Sequence, residues 1–169
     1  LSRLLGSHIS PEQIIVSTSK GLESKTLKRM SEVIREEINT ISEKNIIALY
    51  GPSHAEEVIK KFPTAIVAAS QDIENAQKAQ SIFSSEILRV YTNKDIVGVE
   101  LGGSLKNVIA IGVGMCDGVG FGDNTKSAII TRGMAEIIRL GVAMGARKET
   151  FSGLSGIGDM IATCLSKHS

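Results

Sequence analysis

One lysine and one amide stand side by side in the most apolar stretch of the sequence. Lys106 and Asn107 lie within residues 97–116, which are rich in Gly, Ala, Val and Ile and contain only Glu100 as a further charge. Burial disfavours a charged amine, so a lysine held there would have its pKa lowered towards neutrality, as a general acid or base at an alcohol or carbonyl requires. The commoner alternative is a lysine whose buried stem carries its ammonium to the surface.

A second lysine follows a predicted strand. Residues 14–17 read as a buried strand, and Lys20 comes three positions after its end. Ligands of open parallel sheets bind just beyond the carboxyl ends of the strands, where a lysine could meet a phosphate or a carbonyl oxygen. A solvated loop lysine is the alternative.

The next predicted strand is residues 46–50, and the turn that follows it also lies at the carboxyl end of a strand. Gly51 permits a tight turn, and Ser53 is predicted to cap a helix with Glu56 as its capping-box partner. The N–H groups at such a helix start could bind an anion or another polar ligand. An ordinary strand–turn–helix explains the same residues, and His54 needs no catalytic role.

Near the end of the chain an acid and a hydroxyl are four residues apart. Asp159 and Thr163 would point from one face of a helix, where they could orient a polyol substrate. Asp159 could instead serve only as a helix cap.

A run of glycines from Gly112 to Gly122 superficially resembles a dinucleotide-binding loop. The run follows no predicted strand, and its spacing is not that of the G-x-G-x-x-G fingerprint. Tight helix packing and a flexible turn are the better explanation.

Hydrophobic periodicity predicts two different halves that must position these residues. Residues 1–93 alternate short β-branched runs with amphipathic stretches, which indicates an α/β fold with a largely parallel sheet covered on both faces. The predicted strands are 14–17, 46–50, 64–69 and 87–91. The predicted helices are 24–38, the one capped by Ser53, and 73–83.

Residues 94–169 show no strand patterns and are predicted to form an all-helical domain. A long apolar helix is expected over 97–116, and a second helix has Asp123 as its predicted N-cap and stops at Gly145. Apolar residues cover more than one face of that second helix, so it is expected to be largely buried. The remaining predicted helices are 149–154 and one beginning at Gly158.

Composition excludes several classes of partner. With 19 basic and 18 acidic residues the net charge is +1, which gives no electrostatic basis for binding nucleic acid or an anionic membrane. The longest uncharged apolar run, residues 107–116, is far shorter than the roughly 20 residues of a membrane-spanning helix. Cys116 and Cys164 fit neither a disulfide framework nor a metal site, so a cytoplasmic protein without a metal is expected.

Five segments in register resemble one family. Taken together they are similar to the bacterial branch of NAD(P)-dependent glycerol-3-phosphate dehydrogenases, and the resemblance covers essentially the whole chain. The segments are Ser-Lys-Gly-Leu-Glu at 19–23, Gly-Pro-Ser-His-Ala-Glu-Glu-Val at 51–58, Gly-Val-Glu-Leu-Gly-Gly-Ser-Leu-Lys-Asn-Val-Ile-Ala-Ile at 98–111, Asp-Gly-Val-Gly-Phe-Gly-Asp-Asn at 117–124 and Gly-Ile-Gly-Asp-Met-Ile-Ala-Thr-Cys at 156–164.

The resemblance implies an oxidoreductase that interconverts sn-glycerol 3-phosphate and dihydroxyacetone phosphate by hydride transfer with NAD or NADP, feeding glycerophospholipid synthesis. Residues 1–93 would be the C-terminal part of a Rossmann-like cofactor domain, and 94–169 the N-terminal part of a helical substrate domain. The family's fingerprint loop would precede Leu1, so the chain is expected to be a fragment that is inactive in isolation. A homodimer is a candidate assembly.

The resemblance also implies roles for individual residues. Lys106 would accept the hydroxyl proton, Lys20 would contact both substrate and cofactor, and Ala55 would contact the cofactor. The further positions implied to contact substrate are Gly51, Ser53, Asn107, Asp159, Thr163 and Ser169. His54 and Ser104 differ from the family's common residues and are not expected to touch the chemistry.

Two alternatives remain open. The chain could be a non-catalytic binding or assembly module, a reading that the missing fingerprint favours for the chain in isolation. It could also belong to a related two-domain enzyme, a 3-hydroxyacid or 6-phosphogluconate dehydrogenase, although the wording of residues 98–111 argues against this.

Overall fold

The computed structural model describes residues 1–166 and has four strands followed by a helical region. The strands are β1 (Ile15–Ser17), β2 (Ile46–Tyr50), β3 (Thr64–Ala69) and β4 (Leu88–Asn93). The α-helices are α1 (Ser2–Leu5), α2 (Met30–Glu37), α3 (Ala55–Ile59), α4 (Ile73–Phe83), α5 (Ile96–Gly118), α6 (Asp123–Ala143) and α7 (Asp159–Leu165). Short 3-10 helices span Gly6–His8, Glu43–Asn45 and Lys148–Ser152, and a π-helical turn spans Leu154–Gly158.

The four strands form one sheet in the order β1-β2-β3-β4. Two of the three strand pairs, β1–β2 and β3–β4, are parallel, which confirms the predicted α/β fold with a largely parallel sheet, whereas β2 and β3 are antiparallel. The connection 51–63 contains only the five-residue helix α3. At about 1.5 Å per residue such a helix is much shorter than β2, so the chain turns back at the same end of the sheet instead of crossing over it.

Local side-chain bonds shorten the predicted helix 24–38 at its start. The Glu23 carboxylate accepts hydrogen bonds from the N–H groups of Lys25 and Thr26 at 3.0 and 2.6 Å, which makes a turn there. Leu27 has φ +57°, a left-handed conformation that a helix cannot contain. The helix therefore begins only at Met30.

Two predicted caps are also wrong. Ser53 does not cap α3, because His54 occupies the N-cap and the Ser53 hydroxyl donates to the Gly51 carbonyl at 3.4 Å. Asp123 is the first residue of α6 rather than its N-cap, which is Gly122.

Both faces of the sheet are covered, as period-two alternation along the strands requires. On one face Ile47, Leu49 and Ile66 pack with α4, and on the other Tyr50 and Val67 pack against the start of α5. Leu101, Leu105 and Ile109 of α5 pack against α6 and α7 instead. Helix α5 therefore contributes both to the hydrophobic core on one face of the sheet and to the core of the helical region.

The exposure of α6 differs from the prediction. Met134 and Ile137 are buried on one face, but Leu140 and Val142 are 47% and 48% exposed. The helix thus buries one face and is not largely buried.

Helix α5 has 23 residues and, by length and composition alone, is apolar enough to cross a membrane, which corrects the expectation that no segment would be. Half of the apolar stretch of this helix is nevertheless buried inside the folded chain. Two of its three charged side chains, Glu100 and Lys106, are buried and ion-paired, and the third, Asp117, lies at its C-terminal end and pairs with Lys126. These are the properties of a core helix. The glycines of the rejected fingerprint, Gly112 and Gly114, lie inside it.

Buried carboxylates fix α5 at two points. Asp95 caps the helix by accepting from the Gly98 N–H at 2.9 Å, and its other oxygen accepts from Thr150 Oγ1 at 2.6 Å. One turn later Glu100, only 1% exposed, accepts from Arg29 Nη1 at 2.6 Å and from the N–H of Ser31 at 2.7 Å. Neither carboxylate is left without a donor, which is what makes such burial tolerable.

Two glycines one turn before Lys106 let other elements approach α5 closely. A Cβ atom on Gly102 would lie 2.6 Å from the carbonyl oxygen of Ser155, and one on Gly103 would lie 2.8 Å from the Tyr50 ring. The approach at Gly102 brings the π-helical turn, and with it α7, against α5.

This close approach predicts opposite effects for two substitutions in one helix. Gly102→Ala should lower the free energy of unfolding by about 2 kcal/mol, because backbone must move to admit the methyl group. Gly114 has no neighbour within 4 Å of an added Cβ. Gly114→Ala should therefore raise the free energy of unfolding by about 0.5–1 kcal/mol through helix propensity. Urea titrations followed by circular dichroism measure both, and equal effects would contradict the packing described.

Candidate functional site

The ammonium of Lys106 lies inside the protein. The residue is 8% exposed, and its Nζ donates to Asp159 Oδ1 at 2.5 Å and to Thr163 Oγ1 at 2.6 Å. The alternative of a surface ammonium on a buried stem is therefore excluded.

The Asp159 carboxylate joins two lysines. While Oδ1 binds Lys106, Oδ2 accepts from the Nζ of Lys20 at 2.6 Å. Asp159 is 2% exposed and is the first residue of α7, but Gly158 occupies the N-cap and no side-chain capping bond is made. The carboxylate thus serves the lysines rather than the helix end.

Lys20 reaches this carboxylate from the loop that follows β1. Its side chain is 28% exposed, and its Nζ also donates to the Gly51 carbonyl at 3.2 Å. Gly51 has φ +153°, and a Cβ there would lie 2.9 Å from the Ile66 backbone. The glycine turn thus packs against β3 with its carbonyl bound to the lysine.

Burial determines the acid–base behaviour of Lys106. Desolvation lowers the pKa of Lys106, the ion pair with Asp159 opposes that change, and the charge of Lys20 adds to the lowering. With both lysines charged, the three groups carry a net positive charge. The site can therefore attract an anion, and Lys106 can exchange a proton more readily than a solvated lysine.

Thr163 extends the site towards an open cleft. Its hydroxyl donates to the Asp159 carbonyl at 2.7 Å while accepting from Lys106, as the four-residue spacing permits. Thr163 and the exposed Asn107 both line a cleft of about 590 Å³, together with Cys164 and Ser166. The cleft borders the lysine cluster and has room for a small substrate.

The predicted site residues therefore separate into groups. Lys20, Gly51, Lys106, Asp159 and Thr163 form one hydrogen-bonded cluster, and Asn107 shares its cleft.

The remaining predicted positions are Ser53, Ala55 and Ser169. Ser53 contacts the Gly51 carbonyl that also binds Lys20, and Ala55 is exposed at the start of α3. Ser169 lies outside the described residues.

Tyr50 and Ser104 contact the loop that carries Lys20, and the sequence did not single them out for this role. The Tyr50 hydroxyl donates to the Ser19 carbonyl, and the Ser104 hydroxyl accepts from the Gly21 N–H at 3.0 Å. Ser104 does not touch the lysines' ammonium groups, yet it holds the backbone next to one of them. Tyr50 directly precedes Gly51, and Ser104 directly follows Gly103. This position of a polar residue next to a motif glycine is the signal by which the sequence could have indicated both.

Neither thiol is in a disulfide: Cys116 is buried and Cys164 borders the cleft. Burial raises the pKa of Cys164, and the nearby Lys106 opposes that change. Within residues 1–166, no three His, Cys, Asp or Glu side chains are grouped so that they could hold a metal ion.

Comparisons with known proteins give a consistent result. The family model for the N-terminus of NAD-dependent glycerol-3-phosphate dehydrogenase matches residues 2–76, and the model for its C-terminus matches residues 95–169. A Clostridium botulinum protein named glycerol-3-phosphate dehydrogenase (NAD(P)+) is 53% identical over 169 residues, all of this chain and 50% of the relative. A Chlorobium limicola protein of the same name is 55% identical over 157 residues, 93% of this chain and 47% of the relative.

The solved structures that this chain resembles are also glycerol-3-phosphate dehydrogenases. The glycerol-3-phosphate dehydrogenase of Coxiella burnetii superimposes with a TM-score of 0.92 at 34% identity, covering 99% of this chain and 50% of that protein. The yeast enzyme superimposes with a TM-score of 0.86 at 29% identity, covering 98% and 50%. The chain thus spans about half the length of the relatives it matches. With both family models matched in order along it, the chain belongs to the NAD-dependent glycerol-3-phosphate dehydrogenase family.

Proposed function

We propose that the protein containing this chain interconverts sn-glycerol 3-phosphate and dihydroxyacetone phosphate with NAD or NADP. The observation that carries the proposal is the buried Lys106, whose Nζ contacts Asp159 at 2.5 Å and Thr163 at 2.6 Å beside an open cleft. Oxidation of a secondary alcohol needs a proton acceptor at the carbinol oxygen, and a desolvated amine suits that task. Relatives that bear the name of this enzyme support the substrate and the cofactor.

Lys106 suits the role of base better than Lys20. Its side chain is 9% exposed against 28% for Lys20, and burial lowers its pKa. As neutral amine it would take the hydroxyl proton during oxidation, and as ammonium it would return the proton to the carbonyl oxygen during reduction. Asp159 and Thr163 hold the Nζ in place in both states.

Lys20 supplies a positive charge that a phosphate-bearing substrate needs. It is partly exposed at the carboxyl end of β1, the edge at which such sheets bind ligands. Asn107 and Thr163 would bind substrate hydroxyls from the wall of the cleft. Gly51 and Ser53 would complete the substrate contacts, with Ser169 as a further phosphate contact.

Residues that follow β1 and β2 fit the reactive end of a nicotinamide cofactor. Lys20 and Ala55 would contact it, since both lie beyond the carboxyl ends of neighbouring parallel strands and both are accessible. When bound, the nicotinamide supplies the hydride acceptor or donor. The division into a cofactor part, 1–93, and a substrate part, 94–169, is supported by the end of β4 at Asn93.

The wider setting follows from the same proposal. Free Cys116 and Cys164 are in keeping with a reducing cytoplasm. Exposed apolar side chains on α5, among them Val108 at 68% and Met115 at 67%, are compatible with a homodimer. The product glycerol 3-phosphate would feed glycerophospholipid synthesis.

Replacing Lys106 tests the base directly. Lys106→Met keeps the packing of the stem and removes the amine, so kcat of the whole enzyme should fall by at least about 100-fold. Lys126→Met is the matched control, because Lys126 is an ion-paired lysine on the neighbouring helix α6. Its kcat should stay within about twofold of wild type. A Lys106→Met enzyme with near-normal kcat and unchanged thermal stability would refute the assignment.

Replacing Lys20 tests substrate charge recognition. Lys20→Ala should raise KM for dihydroxyacetone phosphate by about tenfold or more, because a cation is lost in the ground-state complex as well as in the transition state. Lys28→Ala is the control, since Lys28 pairs with Glu36 elsewhere on the surface. Steady-state kinetics measure both variants, and an unchanged KM in Lys20→Ala would mean that this lysine does not contact the substrate.

The charges around Lys106 predict opposite shifts of the pH profile. Oxidation requires neutral Lys106, so kcat/KM for glycerol 3-phosphate should fall as pH drops through the pKa of that amine. Asp159 raises this pKa and Lys20 lowers it. The acidic limb should therefore move to lower pH in Asp159→Asn and to higher pH in Lys20→Ala. Shifts in the same direction would contradict this electrostatic account.

A further inference from the structure

The segment that carries Lys20 lies outside regular structure. Thr18, Ser19 and Lys20 are exposed as residues, yet the Lys20 ammonium makes a 2.6 Å contact with a buried carboxylate. A long, flexible side chain on an exposed loop loses considerable conformational entropy in such a contact. Something must therefore fix the backbone from which it extends.

Tyr50 holds this backbone on the N-terminal side of Lys20. It is the last residue of β2 and 1% exposed, and its hydroxyl donates to the Ser19 carbonyl. The Lys20 Nζ lies over its ring, 5.7 Å from the centroid. Burial raises the pKa of Tyr50, so the phenol remains a hydrogen-bond donor over the working pH range.

Ser104 holds the backbone on the C-terminal side. Its hydroxyl donates to the Glu100 carbonyl at 2.6 Å, which leaves a lone pair to accept the Gly21 N–H at 3.0 Å. Gly21 has φ +128°, a conformation that other residues rarely adopt, so the chain can turn there. The serine is two positions before Lys106 on the same helix.

We propose that Tyr50 and Ser104 form a clamp that positions Lys20 for an anionic substrate by holding the peptide units on both sides of it. The proposal rests on the proposed function and adds two positioning residues to it, neither of which touches the reacting atoms. Because Ser104 and Lys106 share α5, the clamp sets the position of one lysine relative to the other. When the clamp is broken, Lys20 spends less time at Asp159.

Amide exchange tests the clamp without any enzymatic assay. In the 169-residue chain, Ser104→Ala should speed hydrogen exchange at the Gly21 amide on the order of tenfold, because its acceptor is lost. Ser81→Ala is the matched control: Ser81 also donates to a carbonyl of its own helix, that of Lys78 at 2.8 Å, but anchors no loop. Unchanged exchange at Gly21 in Ser104→Ala would overturn the clamp.

Kinetics of the whole enzyme test the consequence. The double variant Tyr50→Phe/Ser104→Ala should raise KM for dihydroxyacetone phosphate about fivefold, with a smaller change in kcat. Added to Lys20→Ala, the same pair should change KM by less than about twofold, since the residue that they position is already gone. Tyr91→Phe, at a half-exposed position of β4, is the tyrosine control and should leave KM unchanged.

The outcomes separate this proposal from the proposed function. Full additivity of the clamp variants with Lys20→Ala would overturn the clamp even in an active enzyme, because it would show that they act by another route. If wild-type enzyme neither reduces dihydroxyacetone phosphate nor oxidises glycerol 3-phosphate, the proposed function fails, while faster exchange at Gly21 in Ser104→Ala would still support the clamp.

Discussion

A single buried carboxylate, shared by two lysines, sets the geometry on which the site depends. An ammonium such as that of Lys106 cannot be withdrawn from water unless a counter-charge and further acceptors are supplied at hydrogen-bond distance. Asp159 supplies the charge and Thr163 the second acceptor, both from the first turns of α7. The geometry of the site therefore depends on the position of α7 against α5.

Small residues on α5 make that position possible. Gly102 allows the π-helical turn before α7 to lie against the helix, and Gly103 allows the Tyr50 ring to do the same on the side of the sheet. The two approaches bring the end of β2 and the start of α7 to the same stretch of α5. Lys20 then needs only to extend from the end of β1 to meet Asp159.

The polar residues of α5 and its N-cap have different roles at different positions along the helix. Asp95 and Glu100 bind donors from the 3-10 turn and from α2, so they fix the helix within the fold. Ser104 and Lys106 follow within the next two turns and face the loop of Lys20 and the carboxylate of Asp159. A helix whose composition alone would suit a membrane is thus a core helix, because each buried polar side chain has a partner in the folded chain.

Much of this protein could be predicted from the sequence, and the limit has a physical cause. Runs of β-branched residues located β2 and β3 to the residue, because periodicity leaves a local record. The apolar run made Lys106 a candidate, although an ammonium at the surface was the commoner alternative for its pattern. The antiparallel pairing of β2 with β3 and the start of α2 at Met30 depended on turn geometry that the patterns did not carry. Only the tertiary structure brought Lys20 to Asp159 across 139 positions and Tyr50 to Ser19 across 31. Such contacts are decided by how distant elements pack, and a residue's neighbours along the chain do not encode them.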